Sequence, residues 1–370
     1  MSERNSQLLK SNEQILSKLA MKRRLFASLR EQGYTVNADS ISIPSNSTKD
    51  NFREIQQHAT KKTLEKNEKA IRPYENRLIQ YIANGDEVVP EKINPELILV
   101  RRGSEHEKLF RYISLHWSIP ISPGYGRRMR FRLMDRSNGK VIGIFALGDP
   151  VISLKARDAW IGWKRETRQQ RLYHVMDAYV LGAIPPYSYL LGGKLVALST
   201  LSNEVRKHFR IKYENNSPLI SKTQKPPILA MITTTSALGR SSIYNRIKTN
   251  RTNYWCNIGF TQGYGEFHFS NGIYNDLRNF VIHHCNPTMR HKNWGEGFRN
   301  KREIVYYGLQ ELGLPYTFAM HGIPREIFAA PLGSKALEYL RGESKQVRFY
   351  DRPLSVLFEI FRERWLLPRA

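Results

Sequence analysis

The chain is short of cysteine, of acid and of long apolar runs. Only Cys256 and Cys285 occur in 370 residues, too few for a disulfide framework, and no CxxC pair offers two thiolates to a zinc ion. The best apolar segment, Val180 to Gly193, is too short to span a bilayer and contains Pro185-Pro186. The opening residues Met1-Ser2-Glu3-Arg4-Asn5-Ser6-Gln7 lack the apolar core of a signal peptide. No GxxxxGK[ST] pattern is present, which excludes a standard P-loop NTPase, and no internal repeat is visible. These absences predict a reducing, cytoplasmic home without membrane contact.

The deficit of acid is the most informative. There are 58 Lys and Arg against 33 Asp and Glu, a net charge of +25 that repels itself and needs a reason outside folding. A hydrophobic share of 41% with 11% aromatics argues for a packed core rather than disorder, so nucleic acid is the leading partner. From Asn215 to Gly265 there is no acid at all, while Lys222, Lys225, Arg240, Arg246, Lys248 and Arg251 alternate with Tyr244, Tyr254 and Trp255. Cations neutralise phosphates and aromatics stack on bases exposed in single strands, so this stretch is the first candidate for contact. Arg128, Arg130 and Arg132 alternate along a predicted strand and so share one face. A third basic group, Arg290, Lys292, Arg299, Lys301 and Arg302, precedes a predicted helix.

Periodicity divides the chain into three parts. Residues 1–95 read as a helical region: Leu8, Ile15, Leu19, Phe26 and Leu29 recur at helical spacing, and Asp50 heads a second apolar stripe. Residues 96–275 alternate strand and helix. A helix over Ser104–Trp117 precedes two strands, Arg128–Met134 and Lys140–Leu147, joined by a turn at Asp135–Gly139. Trp160-Ile161-Gly162-Trp163 reads as a short strand or turn, Tyr173–Ile184 as a strand and Ser188–Tyr213 as one helix. Strands over Ile228–Thr233 and Trp255–Gln262 follow, and residues 276–370 form a basic C-terminal region packing on the core. The order suits an α/β (or α+β) class, a mixed sheet flanked by helices with a helical N-terminal extension.

Few residue groups suggest chemistry. His283-His284-Cys285 with His291 and Cys256 has adjacent ligands that diverge, so no metal site is expected. Asp135-Arg136-Ser137-Asn138-Gly139 reads as turn chemistry. Asp158, before the tryptophans, is harder to dismiss, and His321-Gly322-Ile323-Pro324-Arg325-Glu326 puts an acid–base imidazole near an anion-holding guanidinium.

Several segments, taken in order, form a pattern. They are Asp158-Ala159-Trp160-Ile161-Gly162-Trp163, Leu190-Leu191-Gly192-Gly193-Lys194-Leu195, Thr234-Thr235-Ser236 through Tyr244-Asn245-Arg246, Gly259-Phe260-Thr261-Gln262-Gly263, and His321 through Glu326 with Pro331-Leu332. The series, over roughly Glu96 to Glu343, resembles the DruA family of the Druantia anti-phage defence systems of bacteria. The resemblance implies a role in restricting phage beside other Druantia subunits, a helicase-like protein among them. No catalytic residue is carried over from the family. A more distant likeness is to GNAT-type folds, including Mom-like DNA-modification proteins, with Tyr244, Trp255 and Gly259 in the matching places. Tyr187 to Lys194 departs from the pyrophosphate loop of that fold, so no acyl-CoA or other cofactor is expected.

The leading expectation is a defence component that binds nucleic acid, most naturally DNA, through Arg128, Arg130, Arg240, Arg246, Lys248 and Arg251, with bases on Tyr244 or Trp255. The alternative is a GNAT- or Mom-like enzyme acting on DNA bases or a small substrate, with Asp158, Tyr244, His321 and Arg325 as its working residues. A structural adaptor whose charge complements an acidic subunit is the third reading.

Overall fold

Short apolar runs separated by turn residues become strands in the computed structural model, which describes residues 2–43, 48–117, 121, 126–214, 225–237, 239–263, 266–269, 272–286 and 301–370. Among these residues the strands are β1 Thr35–Val36, β2 Ile41–Ser42, β3 Pro95–Leu99, β4 Arg128–Asp135, β5 Lys140–Gly148, β6 Val175–Ala183, β7 Met231–Thr235, β8 Cys256–Phe260 and β9 Glu326–Pro331. The helices are α1 Ser2–Glu31, α2 Lys49–Ile71, α3 Glu75–Leu78, α4 Glu105–Leu115, α5 Lys155–Ile161, α6 Arg165–Arg171, α7 Gly192–Ser199, α8 Asn203–Tyr213, α9 Ile273–His284, α10 Lys301–Glu311, α11 Ala336–Arg341 and α12 Leu354–Phe361. β1 and β2 form a small antiparallel pair, and the other seven strands make one sheet in the order β3-β4-β5-β6-β7-β9-β8. Only β6 and β7 run parallel, so the sheet is mixed and flanked by helices, the α/β class expected from the strand–helix order.

The chain divides into two compact units. One comprises Met1–Lys66, Ser118–Pro120 and Thr261–Pro324. Here α1 places Leu25 and Leu29 in a core with Leu277 and Phe280 of α9, Val305 and Leu309 of α10, and Phe318. Phe26 stacks on Phe318 at 5.7 Å, and Gln32 donates to the His268 carbonyl at 2.9 Å. The N-terminal helix thus takes its core partners from residues late in the chain. In the third basic group only Lys301 and Arg302 belong to the described residues, where they open α10; Arg290, Lys292 and Arg299 lie outside them, as does His291.

The other unit comprises Asn67–Trp117, Ile121–Phe260 and Arg325–Ala370, and holds the seven-stranded sheet. Its β4–β5 hairpin turns where Asp135 predicts it. The Asp135 carboxylate accepts from Ser137 N (3.0 Å) and the Ser137 hydroxyl (2.7 Å), and Gly139 completes the turn at φ +73°, a conformation open to glycine. Strand periodicity then sorts the side chains by face. Phe131 and Phe145, 4.8 Å apart, point into a core with Leu195 of α7, Phe209 of α8 and Phe361 of α12. Ile144, Ala146 and Val180 point the other way, against Leu109, Phe110 and Ile113 of α4. Gly143 lets α7 approach: a Cβ there would lie 2.6 Å from Val196 and 2.5 Å from the Gly182 carbonyl.

The structure corrects three elements of the sequence reading. Ser188–Tyr213 is two helices, because Ser199 and Thr200 turn their hydroxyls onto the carbonyls of Leu195 (2.8 Å) and Ala197 (2.7 Å) and Ser202 starts the second helix in extended geometry. Trp160 and Ile161 end α5, which Gly162 terminates in the left-handed conformation at φ +83°. Most consequentially, Glu326–Pro331, inside the expected C-terminal region, is strand β9 and lies between β7 and β8.

Candidate nucleic-acid interface

The acid-free stretch leaves β7 at Thr235 and returns as β8. Between them a single carboxylate organises the backbone. Glu326, the first residue of β9, is 3% exposed. Its Oε2 accepts from Ser241 N at 2.6 Å and from the Asn245 amide at 2.8 Å, while Oε1 accepts from the Asn257 amide at 2.9 Å. Its own backbone accepts from Ser236 N at 2.8 Å and donates to the Gly239 carbonyl at 3.2 Å. One acid therefore holds the segment after β7, the turn at Tyr244–Arg246 and the edge strand β8 in fixed relation. Such a buried carboxylate is tolerated because every oxygen finds an N–H.

Held this way, the segment turns its cations outward. Lys248 bridges Asn253, and Thr249 N donates to the Thr252 carbonyl at 2.8 Å, which puts Asn250 and Arg251 at a tight tip. Arg240, Arg246, Lys248 and Arg251 are all exposed. The Arg240 guanidinium is 85% exposed and reaches only to 4.0 Å from Glu326. Among the described residues no carboxylate pairs with Arg246, Lys248 or Arg251.

The aromatic residues of the same stretch go inward, which corrects the expectation of base stacking on them. Trp255 is 1% exposed and its indole N–H donates to the Ala197 carbonyl at 3.4 Å. Tyr244 packs between Trp255 (5.4 Å) and Phe328 (5.0 Å), and burial pushes its phenol up to about 12, against a hydrogen bond with Thr234. Neither ring can meet a base. Among the described residues of the stretch, the aromatic that does face solvent is Phe260, at the end of β8.

A family model described as Druantia protein DruA matches residues 46–342. A curated relative, Druantia protein DruA of Escherichia coli (strain UMEA 4076-1), is 36% identical over 359 residues, covering 96% of this chain and 88% of its own length. The chain belongs to the DruA family. No solved structure matches it. The matched span of this DruA-family chain takes in β9, Glu326 and the whole basic segment.

The remaining candidates of the DruA-family chain have other settings. Arg128, Arg130 and Arg132 do share a face of β4, and that face packs against the protein's own groups. The Arg128 guanidinium lies over Tyr179 at 4.5 Å, Arg130 pairs with Glu107 at 2.7 Å, and Arg132 donates to His106 Nε2 at 3.0 Å. Asp158 is held on both oxygens, by Arg157 (2.7 Å) and by Arg168 (2.8 Å), and so braces α5. His321 is buried in the first unit, 6.4 Å from His268, and its Nδ1 accepts from Ile323 N. Arg325 lies in the second unit, where burial disfavours its charge and the carboxylate of Asp177, a residue that the sequence reading passed over, opposes that effect.

Asp177 marks the end of the parallel ladder. β6 and β7 are in register only from Val175/Met231 to Asp177/Thr233. The next rung is made by a side chain, the Thr234 hydroxyl donating to the Ala178 carbonyl at 2.8 Å. Asp177 accepts from the Thr233 hydroxyl at 2.7 Å, and burial raises its carboxyl above the ordinary value, opposed by Thr233, Arg157 and Arg325. The signal was present: one carboxylate inside the apolar run Val175–Ala183. No helix among the described residues is long and apolar enough to cross a bilayer.

Proposed function

We propose that this DruA-family chain serves the Druantia anti-phage defence system as a nucleic-acid-binding component, docking phosphates on Arg240, Arg246, Lys248 and Arg251 and working beside other Druantia subunits. The observation that carries the reading is the outward display of these four cations on a segment without acid, fixed by the buried Glu326. Cations without carboxylate partners attract phosphate because binding releases condensed counterions, and the affinity then falls steeply with salt. DNA is the working substrate.

The test is fluorescence anisotropy of a labelled DNA across a salt series. The fourfold alanine variant of these residues flattens the log–log slope by about 3 to 4, since each phosphate contact contributes about 0.7 to 0.9. An unchanged slope refutes the assignment. If the chain binds no DNA even at low salt, its charge serves an acidic protein subunit instead.

One observation favours a second reading, an enzyme that modifies DNA bases. Where β6 and β7 part, Asp177 accepts from Thr233 and its charge acts on Arg157, Arg325 and the Tyr244 phenol, and perturbed acids of this kind recur at catalytic sites. Mass spectrometry of nucleosides from infected cells decides it: a profile identical with the wild type and with Asp177→Asn removes the enzyme.

A further inference from the structure

Among the described residues β8 ends the sheet, and its last residue presents a ring to solvent. Phe260 is 56% exposed. In register it pairs with Glu326, whose carboxylate holds Asn257 at 2.9 Å and stands 4.0 Å from the Arg240 guanidinium. An exposed phenyl ring, an exposed cation and exposed Asn257 therefore all neighbour one buried acid. The same acid fixes Asn245, the neighbour of exposed Arg246.

A free sheet edge could also accept an added peptide strand, but this one is built against it. The ladder to β9 is interrupted between Asn257 and Gly259, and Gly259 takes φ +130°. A bulge of this kind bends the edge and breaks the regular row of N–H and C=O groups that strand addition needs. What the edge offers is a flat apolar face beside cations and amides. Duplex DNA shows base edges in its grooves and keeps base faces stacked, whereas a single strand can splay a base onto an aromatic ring.

Resting on the phosphate-binding reading above, we propose that Phe260 and Arg240 form a platform for single-stranded nucleic acid, one base stacking on the ring while flanking phosphates lie on Arg240 and Arg246. Phe260 then supplies the aromatic contact that Tyr244 and Trp255, both in the core, cannot.

The experiment uses the full chain and three labelled probes of equal length: an oligothymidylate, the same backbone without bases, and a duplex. Phe260→Ala weakens oligothymidylate binding roughly tenfold and Phe260→Tyr restores it, because stacking accepts any aromatic face. The abasic strand binds wild type and Phe260→Ala alike, and the salt slope is the same for both. Thermal unfolding checks that truncating an exposed ring leaves the fold intact. If Phe260→Ala binds oligothymidylate as wild type does, the platform is overturned while the phosphate reading stands. Equal weakening on the duplex overturns the single-strand preference. Absence of binding to all three probes at low salt overturns both readings.

Discussion

Arg157 and Arg251 carry the same guanidinium in the same unit and answer opposite demands. Arg157 is fully buried: it donates to Asp158 Oδ1 through Nε (2.9 Å) and Nη2 (2.7 Å), and to the carbonyls of Val151 (2.8 Å) and Ile152 (3.2 Å). Arg251 stands at the tip of a tight turn, exposed, with no carboxylate partner among the described residues. The interior set, with Arg128, Arg130, Arg132 and Arg168, holds helices and strands together; in the exterior set Arg240 reaches only to 4.0 Å from Glu326, and Arg246, Lys248 and Arg251 pair with no carboxylate among the described residues. A net charge of +25 therefore overstates what a partner can feel, and the stretch between β7 and β8 offers part of what is usable, four exposed cations with no acid in the sequence between them.

Removing an interior cation should produce the largest effect and leave binding alone. Arg157→Met strips Asp158 of one partner and leaves it Arg168 and the Leu154 N–H (3.2 Å), at a cost of about 3–5 kcal/mol of unfolding free energy. The denaturant midpoint reads this, while the salt slope of DNA binding by the folded protein stays at its wild-type value. A loss below about 1 kcal/mol would mean that the pair is solvated, and the contrast between interior and exterior cations would collapse.

The sharpest discrimination comes from Glu326. On charge alone, Glu326→Gln adds one positive unit beside Arg240 and should tighten DNA binding. The hydrogen bonds say otherwise. Three N–H donors, from Ser241, Asn245 and Asn257, converge on two carboxylate oxygens, and an amide turns one of those oxygens into a donor facing donors. We expect a stability loss of about 1–3 kcal/mol together with weaker DNA binding, as the basic segment loses its tie. Tighter binding by the variant would reduce Glu326 to a repulsive neighbour of the interface.

Much of this frame was legible in the sequence, and the gaps have physical causes. The β4–β5 hairpin followed from alternating apolar residues and the Asp-to-Gly turn, and α4 from apolar spacing, with Ser104 capping its start by accepting from Glu107 N. The basic segment followed from absent acid. Helix α7 ran on too far in the reading because hydroxyl–carbonyl bonds at Ser199 and Thr200 leave no gap in the hydrophobic spacing. β9 was missed since Ile327–Ala330 is buried on both faces and so lacks alternation. For the site, spacing could show which aromatics accompany the cations but not which way each ring points. Tyr244 and Trp255 turn inward because Phe328 of the unrecognised β9 packs there, and Phe260 turns outward because β8 is an edge.

The smallest effect tests the same contrast from the interior side. Arg130 looked, in sequence, as available to phosphate as Arg240. Folded, it pairs with Glu107 at 2.7 Å with both side chains about one-third exposed (36% and 30%) and lies 5.9 Å from the Phe110 ring. An ion pair this wet contributes about 0.2–1 kcal/mol, so Arg130→Ala should shift the unfolding midpoint only slightly. The decisive reading is the salt slope of DNA binding. It stays unchanged if Glu107 already neutralises Arg130, and falls by about 0.7–0.9 if the arginine leaves Glu107 for a phosphate on binding. The second result would extend the interface from the basic segment to β4, and the division between interior and exterior cations would then hold only for the free protein.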